Sequence, residues 1–232
     1  MKLWKSMLLT TVLLGSIAAP SVSFAVDGTS GDDEGKKDAT SFGSVSLKVG
    51  DDNTPGEPEV PGDEKEPGEE GGGTGETGNT GLLAITYVSP LDFGEVSLTG
   101  KEKVVAAKNE DPSLQIRDIR GTAKGWTVQV SMTEFKQKAD AKVIMKGASL
   151  HLPLGTAKAS GTTASTAPST REITEVNEKA QTVFEAQEGT GAGAWINQFG
   201  KDKIELTIPQ DVLVGEYQAE LTWTISDTPG NK

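Results

Sequence analysis

The chain contains no cysteine, which removes disulfide staples, a thiol nucleophile and a lipidated lipobox cysteine. Stability therefore has to come from an ordinary core. Histidine is almost as scarce: His151 is the only one in 232 residues, a poor basis for a catalytic triad or a zinc site. Basic side chains number 22 against 34 acidic ones, with no Lys/Arg-rich stripe, so nucleic acid is not an expected partner. Carboxylates are densest in one segment, and none lies in a recognised motif that would pair it with another for hydrolysis. No catalytic, cofactor-binding or metal-ligating residue is assigned, and the expected class is not an enzyme. Past residue 25, no stretch is apolar enough to cross a membrane.

What is present begins with Lys2 and Lys5, an uncharged apolar run over residues 7–19, and the small residues Ser23 and Ala25. Such a run, about a dozen residues long, is short for a bilayer core of ~30 Å, and the layout is that of a secretory signal peptide. Residues 1–25 are expected to be removed and the secreted chain to start at Val26. The last residues, Asp227-Thr228-Pro229-Gly230-Asn231-Lys232, offer neither an apolar tail nor a sorting signal, so any attachment to the cell surface is expected to be non-covalent.

The acidity is local. Residues 26–81 hold 15 acidic and 4 basic side chains, whereas residues 82–232 hold 19 and 16. Within the first segment, residues 50–81 contain 10 Gly, 4 Pro and 10 Asp or Glu, with Val60 the only sizeable apolar side chain. Such a stretch buries too little surface to order itself and reads as an extended, disordered spacer. Just before it, Ser44-Val45-Ser46-Leu47-Lys48-Val49 alternates as a half-buried strand would. A lone strand is not stable. Residues 44–49 are therefore either a docking strand for the C-terminal domain or a tail with accidental alternation.

From Leu82 the composition changes, and nine of the twelve aromatic residues fall in residues 82–232. Period-two alternation runs through Trp126-Val128-Val130-Met132 and through Tyr217-Ala219-Leu221-Trp223-Ile225. Weaker runs lie at residues 83–88, 96–98, 104–107, 114–119, 150–154, 182–186 and 204–208, giving roughly nine strands. The expectation is an all-β domain over residues 82–232, an antiparallel sandwich or barrel. Residues 156–170 read as a long surface loop and residues 171–179 as a short helix at most. Asp118 and Arg120, at strand spacing, read as a surface ion pair rather than a catalytic couple.

Three blocks resemble the WxL domain of surface proteins from low-GC Gram-positive bacteria. They are Gly81-Leu82-Leu83-Ala84-Ile85-Thr86-Tyr87-Val88-Ser89-Pro90-Leu91-Asp92-Phe93-Gly94, then Asp118-Ile119-Arg120-Gly121 leading to Gly125-Trp126-Thr127-Val128, and Tyr217-Gln218-Ala219-Glu220-Leu221-Thr222-Trp223-Thr224-Ile225-Ser226. Val128 and Ile225 stand where the family name expects leucine; both keep a branched apolar side chain two positions after the tryptophan. The resemblance implies a non-covalent hold on peptidoglycan at the extracellular face of the wall. It also implies association with other surface proteins, including a membrane-anchored WxL-interacting protein. The alternative function is a structural or adhesin subunit that reaches wall or host through those partners.

Periodicity places the motif residues Trp126, Val128, Trp223 and Ile225 on the apolar faces of their strands, so a core role is favoured for them. The candidate ligand contacts are Trp195, Asn197 and Gln198, which follow a glycine-rich run over residues 189–193. There, glycine permits close backbone approach to a ligand and no alternation buries the ring. The competing reading folds the Trp195 ring back to plug one end of the domain.

Overall fold

The computed structural model describes residues 41–58 and 75–227. The expected signal peptide, half of the acidic spacer (residues 59–74) and the last five residues lie outside the described residues. By its contacts the chain divides into two units, Met1–Ser46 and Leu47–Lys232. The described residues of the first unit, 41–46, carry no strand.

The second unit contains fourteen strands and, among the described residues, no helix. In chain order they are β1 (Leu83–Val88), β2 (Lys103–Ala106), β3 (Ser113–Asp118), β4 (Trp126–Met132), β5 (Lys136–Gln137), β6 (Ser149–Leu152), β7 (Thr156–Ala159), β8 (Ser169–Thr170), β9 (Ile173–Val176), β10 (Gln181–Ala186), β11 (Gly193–Gln198), β12 (Glu205–Ile208), β13 (Tyr217–Gln218) and β14 (Leu221–Ser226). Three four-stranded sheets run β1-β3-β11-β7, β14-β4-β10-β8 and β2-β12-β6-β9, with β13-β5 as a short ribbon. Every pairing is antiparallel, so the expected all-β antiparallel class holds.

One apolar core joins the three larger sheets. Leu114 and Ile116 come from β3, Trp126, Val128 and Val130 from β4, Leu150 and Leu152 from β6, and Leu206 from β12. At its centre the ring of Trp126 meets that of Phe184 edge-on at 4.9 Å, the arrangement that aromatic quadrupoles favour. A bulge between Thr182 and Phe184 in β10 turns both Val183 and Phe184 inward.

The strand count exceeds the expected nine for identifiable reasons. Residues 156–170 are not one surface loop: β7 and β8 occupy its ends, and the inward positions of β7 are Ala157 and Ala159, too small to announce a strand. Residues 171–179 hold β9 rather than a helical turn, its Ile173 and Val176 buried. Residues 96–98 form no strand.

Residues expected to be spacer are partly built into the second unit. The Gly81 N–H donates to Asp52 O at 2.7 Å, and Arg117 Nη2 donates to Thr54 O and Gly81 O at 3.0 and 2.8 Å. Residues 75–77 continue the sheet beyond β1, with Val88 N–H donating to Gly75 O and Thr77 N–H to Thr86 O. Within the second unit, residues 47–49 are in no strand, and Leu47 is exposed.

Candidate functional site

The two tryptophan motifs lie side by side. Strands β4 and β14 are neighbours, with Val128 opposite Ile225 and Val130 opposite Trp223, so both motifs project onto one face of the sheet. Their environments differ. Strand β4 is central and Trp126 is fully enclosed, whereas β14 is the sheet's edge and leaves Trp223 only half-buried. The core role expected for the motif residues describes Trp126 and Val128 in full and Trp223 only in part.

The glycine-rich run approaches Trp126 rather than a ligand. Trp126 Nε1 donates to Gly191 O at 3.0 Å. A Cβ at Gly191, where φ is +69°, would sit 2.3 Å from Ala186 Cβ and 3.0 Å from that same Nε1. Only glycine lets this turn close over the indole. The strand that carries Trp126 is set by a second device: Arg120 is pinned to Asp118 by bonds of 2.9 Å from Nε and Nη2, and Nη2 also reaches Gly125 O at 2.7 Å. The Asp118 side chain is 1% exposed, so this is a buried clamp rather than the surface pair expected. Its hydrogen bonds hold the Arg120 guanidinium above its already high ordinary pKa.

Of the three candidate ligand contacts, Trp195 and Asn197 are buried and Gln198 is half-buried. Trp195 lies in β11, between β3 and β7, and is 3% exposed, its Nε1 donating to Ala192 O at 3.0 Å. The exposed platform expected for it is corrected, because β11 turns Trp195 and Asn197 inward, and Phe199, just past its end, is buried with them. Asn197 is fully buried and neither amide atom bonds to protein. Gln198 spends its amide on Asp111 at 2.8 Å and on the Lys158 ammonium. His151 in β6 is engaged at 2.8 Å by Glu172, just before β9.

Of the three tryptophans in the described residues, Trp223 alone keeps an accessible ring. It lines a depression of about 340 Å³ whose other walls are Ile85, Val88 and Pro90 on the apolar side and Glu76, Thr77 and Asn79 on the polar side. Thr77 Oγ1 and Asn79 Nδ2 donate to Ile85 O at 2.6 and 3.1 Å, fixing this rim to β1. Gly75, with φ of +78°, brings the backbone against the Tyr87 ring, where a Cβ would lie 2.5 Å from a ring carbon. An indole beside hydroxyl, amide and carboxylate groups suits a ligand with an apolar ring face and polar edges. Sequence reading missed Glu76, Thr77 and Asn79 by assigning them to the spacer. The change from Pro/Glu to Thr/Asn over residues 75–80 is the one local cue, and it does not separate a segment bound to a strand edge from a solvated one.

In comparison with known proteins, a family described as WxL domain, surface cell wall-binding, matches residues 34–229. No curated protein and no solved structure matches the chain.

Proposed function

The chain belongs to the WxL domain family of cell wall-binding surface proteins, and from that membership we propose that it is a secreted, non-catalytic protein that holds directly and non-covalently to peptidoglycan. The observation that carries this reading is the half-buried Trp223 on its depression. Peptidoglycan presents sugar faces, acetamido groups and amides; the indole stacks on a sugar face while Thr77 and Asn79 lie within the same hollow. Recognition through stacking and hydrogen bonds is weakly screened by salt, since no exposed charge pair dominates it.

A second reading is favoured by a different observation, the edge position of β14. A free strand edge is a template for another chain, and a membrane-anchored WxL-interacting protein docking there would carry the chain to the wall indirectly. Sedimentation of the purified secreted chain with isolated sacculi separates the two. Direct binding is expected, with Trp223→Ala weakening it about ten- to a hundredfold while the melting temperature stays within a few degrees. Retention that requires the partner protein, together with an inert Trp223→Ala, rejects the direct reading.

A further inference from the structure

We propose that the outer face of the β14-β4-β10-β8 sheet is a second recognition surface, taking the peptide stems that branch from the glycan seated at Trp223. This rests on the peptidoglycan reading above. Thr127 and Gln129 alternate with the enclosed Trp126, Val128 and Val130 and so point away from the core. Among their cross-strand neighbours are Ser226, Glu185 and Thr182. With Arg171 and Gln181, these side chains line a depression of about 540 Å³.

The chemistry of that wall narrows the ligand. No aromatic or aliphatic side chain belongs to it, so it offers a sugar face or an acyl chain nothing to stack on. Its charges are one cation and one anion, which cancel and give a polyanion no purchase. Glu185 is fixed: its side chain is 6% exposed, and one of its oxygens receives both Nε and Nη2 of Arg171. Arg171, 53% exposed, thus stands in one orientation with two of its five N–H donors committed to Glu185. The Thr182 and Ser226 hydroxyls and the amides of Gln129 and Gln181, which both donate and accept, surround this pinned fork. Such a surface matches a neutral ligand that alternates N–H and C=O groups, which is a peptide chain.

Position links the two hollows. Trp223 and Ser226 sit on the same edge strand, three residues apart and on opposite faces, roughly 10 Å along the strand at ~3.3 Å per residue. A glycan at Trp223 therefore carries its branch past Ser226 and onto the polar face.

Two soluble probes test this by calorimetry on the secreted chain: glycan strands stripped of peptide, and disaccharide–peptide fragments of the same wall. The wild-type protein is expected to bind the disaccharide–peptide at least about tenfold more tightly than bare glycan, a gain of ~1.4 kcal/mol. The double variant Gln129→Ala/Thr182→Ala should lose that gain and bind bare glycan unchanged, and its unfolding midpoint confirms that it is folded. Trp223→Ala should weaken both probes. Equal affinity for the two probes, or a double variant indistinguishable from wild type, overturns the peptide surface and leaves the glycan site standing. Binding of neither probe, or indifference to Trp223→Ala, overturns the glycan site and the peptide surface with it.

Discussion

Replacing Gly191 by alanine tests why a glycine-rich run precedes Trp195. Three effects combine at that position. At φ of +69°, an L side chain costs about 1–2 kcal/mol. The new Cβ, 2.3 Å from Ala186 Cβ and 3.0 Å from Trp126 Nε1, overpacks the site by about 1–3 kcal/mol. Any shift that relieves the clash stretches the bond from Nε1 to Gly191 O, worth about 1 kcal/mol. Stiffening of the unfolded chain offsets roughly 0.5 kcal/mol, so the loss should be about 3–5 kcal/mol. For a domain of this size each kcal/mol moves the midpoint by about 2–4 °C, which predicts a fall of roughly 6–20 °C. The control lies two residues earlier: Gly189 has φ of +83° with nothing within 4 Å of its would-be Cβ, so Gly189→Ala carries the backbone effect alone, about 1–2 kcal/mol. Urea unfolding followed by tryptophan fluorescence reads both variants. If the two variants differ by less than about 0.5 kcal/mol, closure of this turn over Trp126 is not what the glycine is for.

Three further outcomes follow from other contacts. Asp118→Asn leaves Arg120 largely buried without its counter-charge and should destabilise by about 3 kcal/mol in chemical denaturation, whereas Asp118→Leu/Arg120→Met together should be milder than either change alone; additive losses would contradict a buried clamp. Gly155→Ala places a Cβ 1.9 Å from Asn197 Oδ1 and should cost about 1–3 kcal/mol, part of which Asn197→Ala restores, because that amide bonds to no protein atom; an absent rescue in thermal melts refutes the clash. The Asp51 carboxyl is held below its ordinary value of 3.8 by the Thr54 hydroxyl and then the Asn53 N–H. Any stability it adds is present above that value and is lost as pH falls through the lower folded one; carboxyl NMR titration should show Thr54→Val moving it upward.

The parts of this fold that were legible in the sequence are those where period-two alternation uses large side chains. The inward row of Trp126, Val128, Val130 and Met132 marks β4, and the alternation of residues 217–226 marks β13 and β14. Strand β11 hid because its inward row is only Trp195 and Asn197, with Phe199 just past its end, and the buried amide interrupts the apolar signal. That same interruption turned a core tryptophan into a candidate platform. The depression beside Trp223 was illegible for another reason. Its polar rim is defined by hydrogen bonds from residues 75–79 to β1, and no local pattern distinguishes a Thr/Asn/Gly segment that binds a strand edge from one that stays solvated. Whether an ion pair is superficial or enclosed is likewise a property of what packs over it, which spacing between Asp118 and Arg120 cannot report.

The bonds joining Asp52 and Thr54 to Gly81 and Arg117 have a mechanical consequence. Tension applied upstream of Gly50 first loads these few bonds and, through them, β1 and β3. Once they yield, the pull passes along residues 55–74 to the next attachment, at Gly75; those roughly 20 residues can span about 66–72 Å at ~3.3–3.6 Å per residue. The bonds at Asp52 and Thr54 thus set the force at which that reach becomes available to whatever pulls from the N-terminal side.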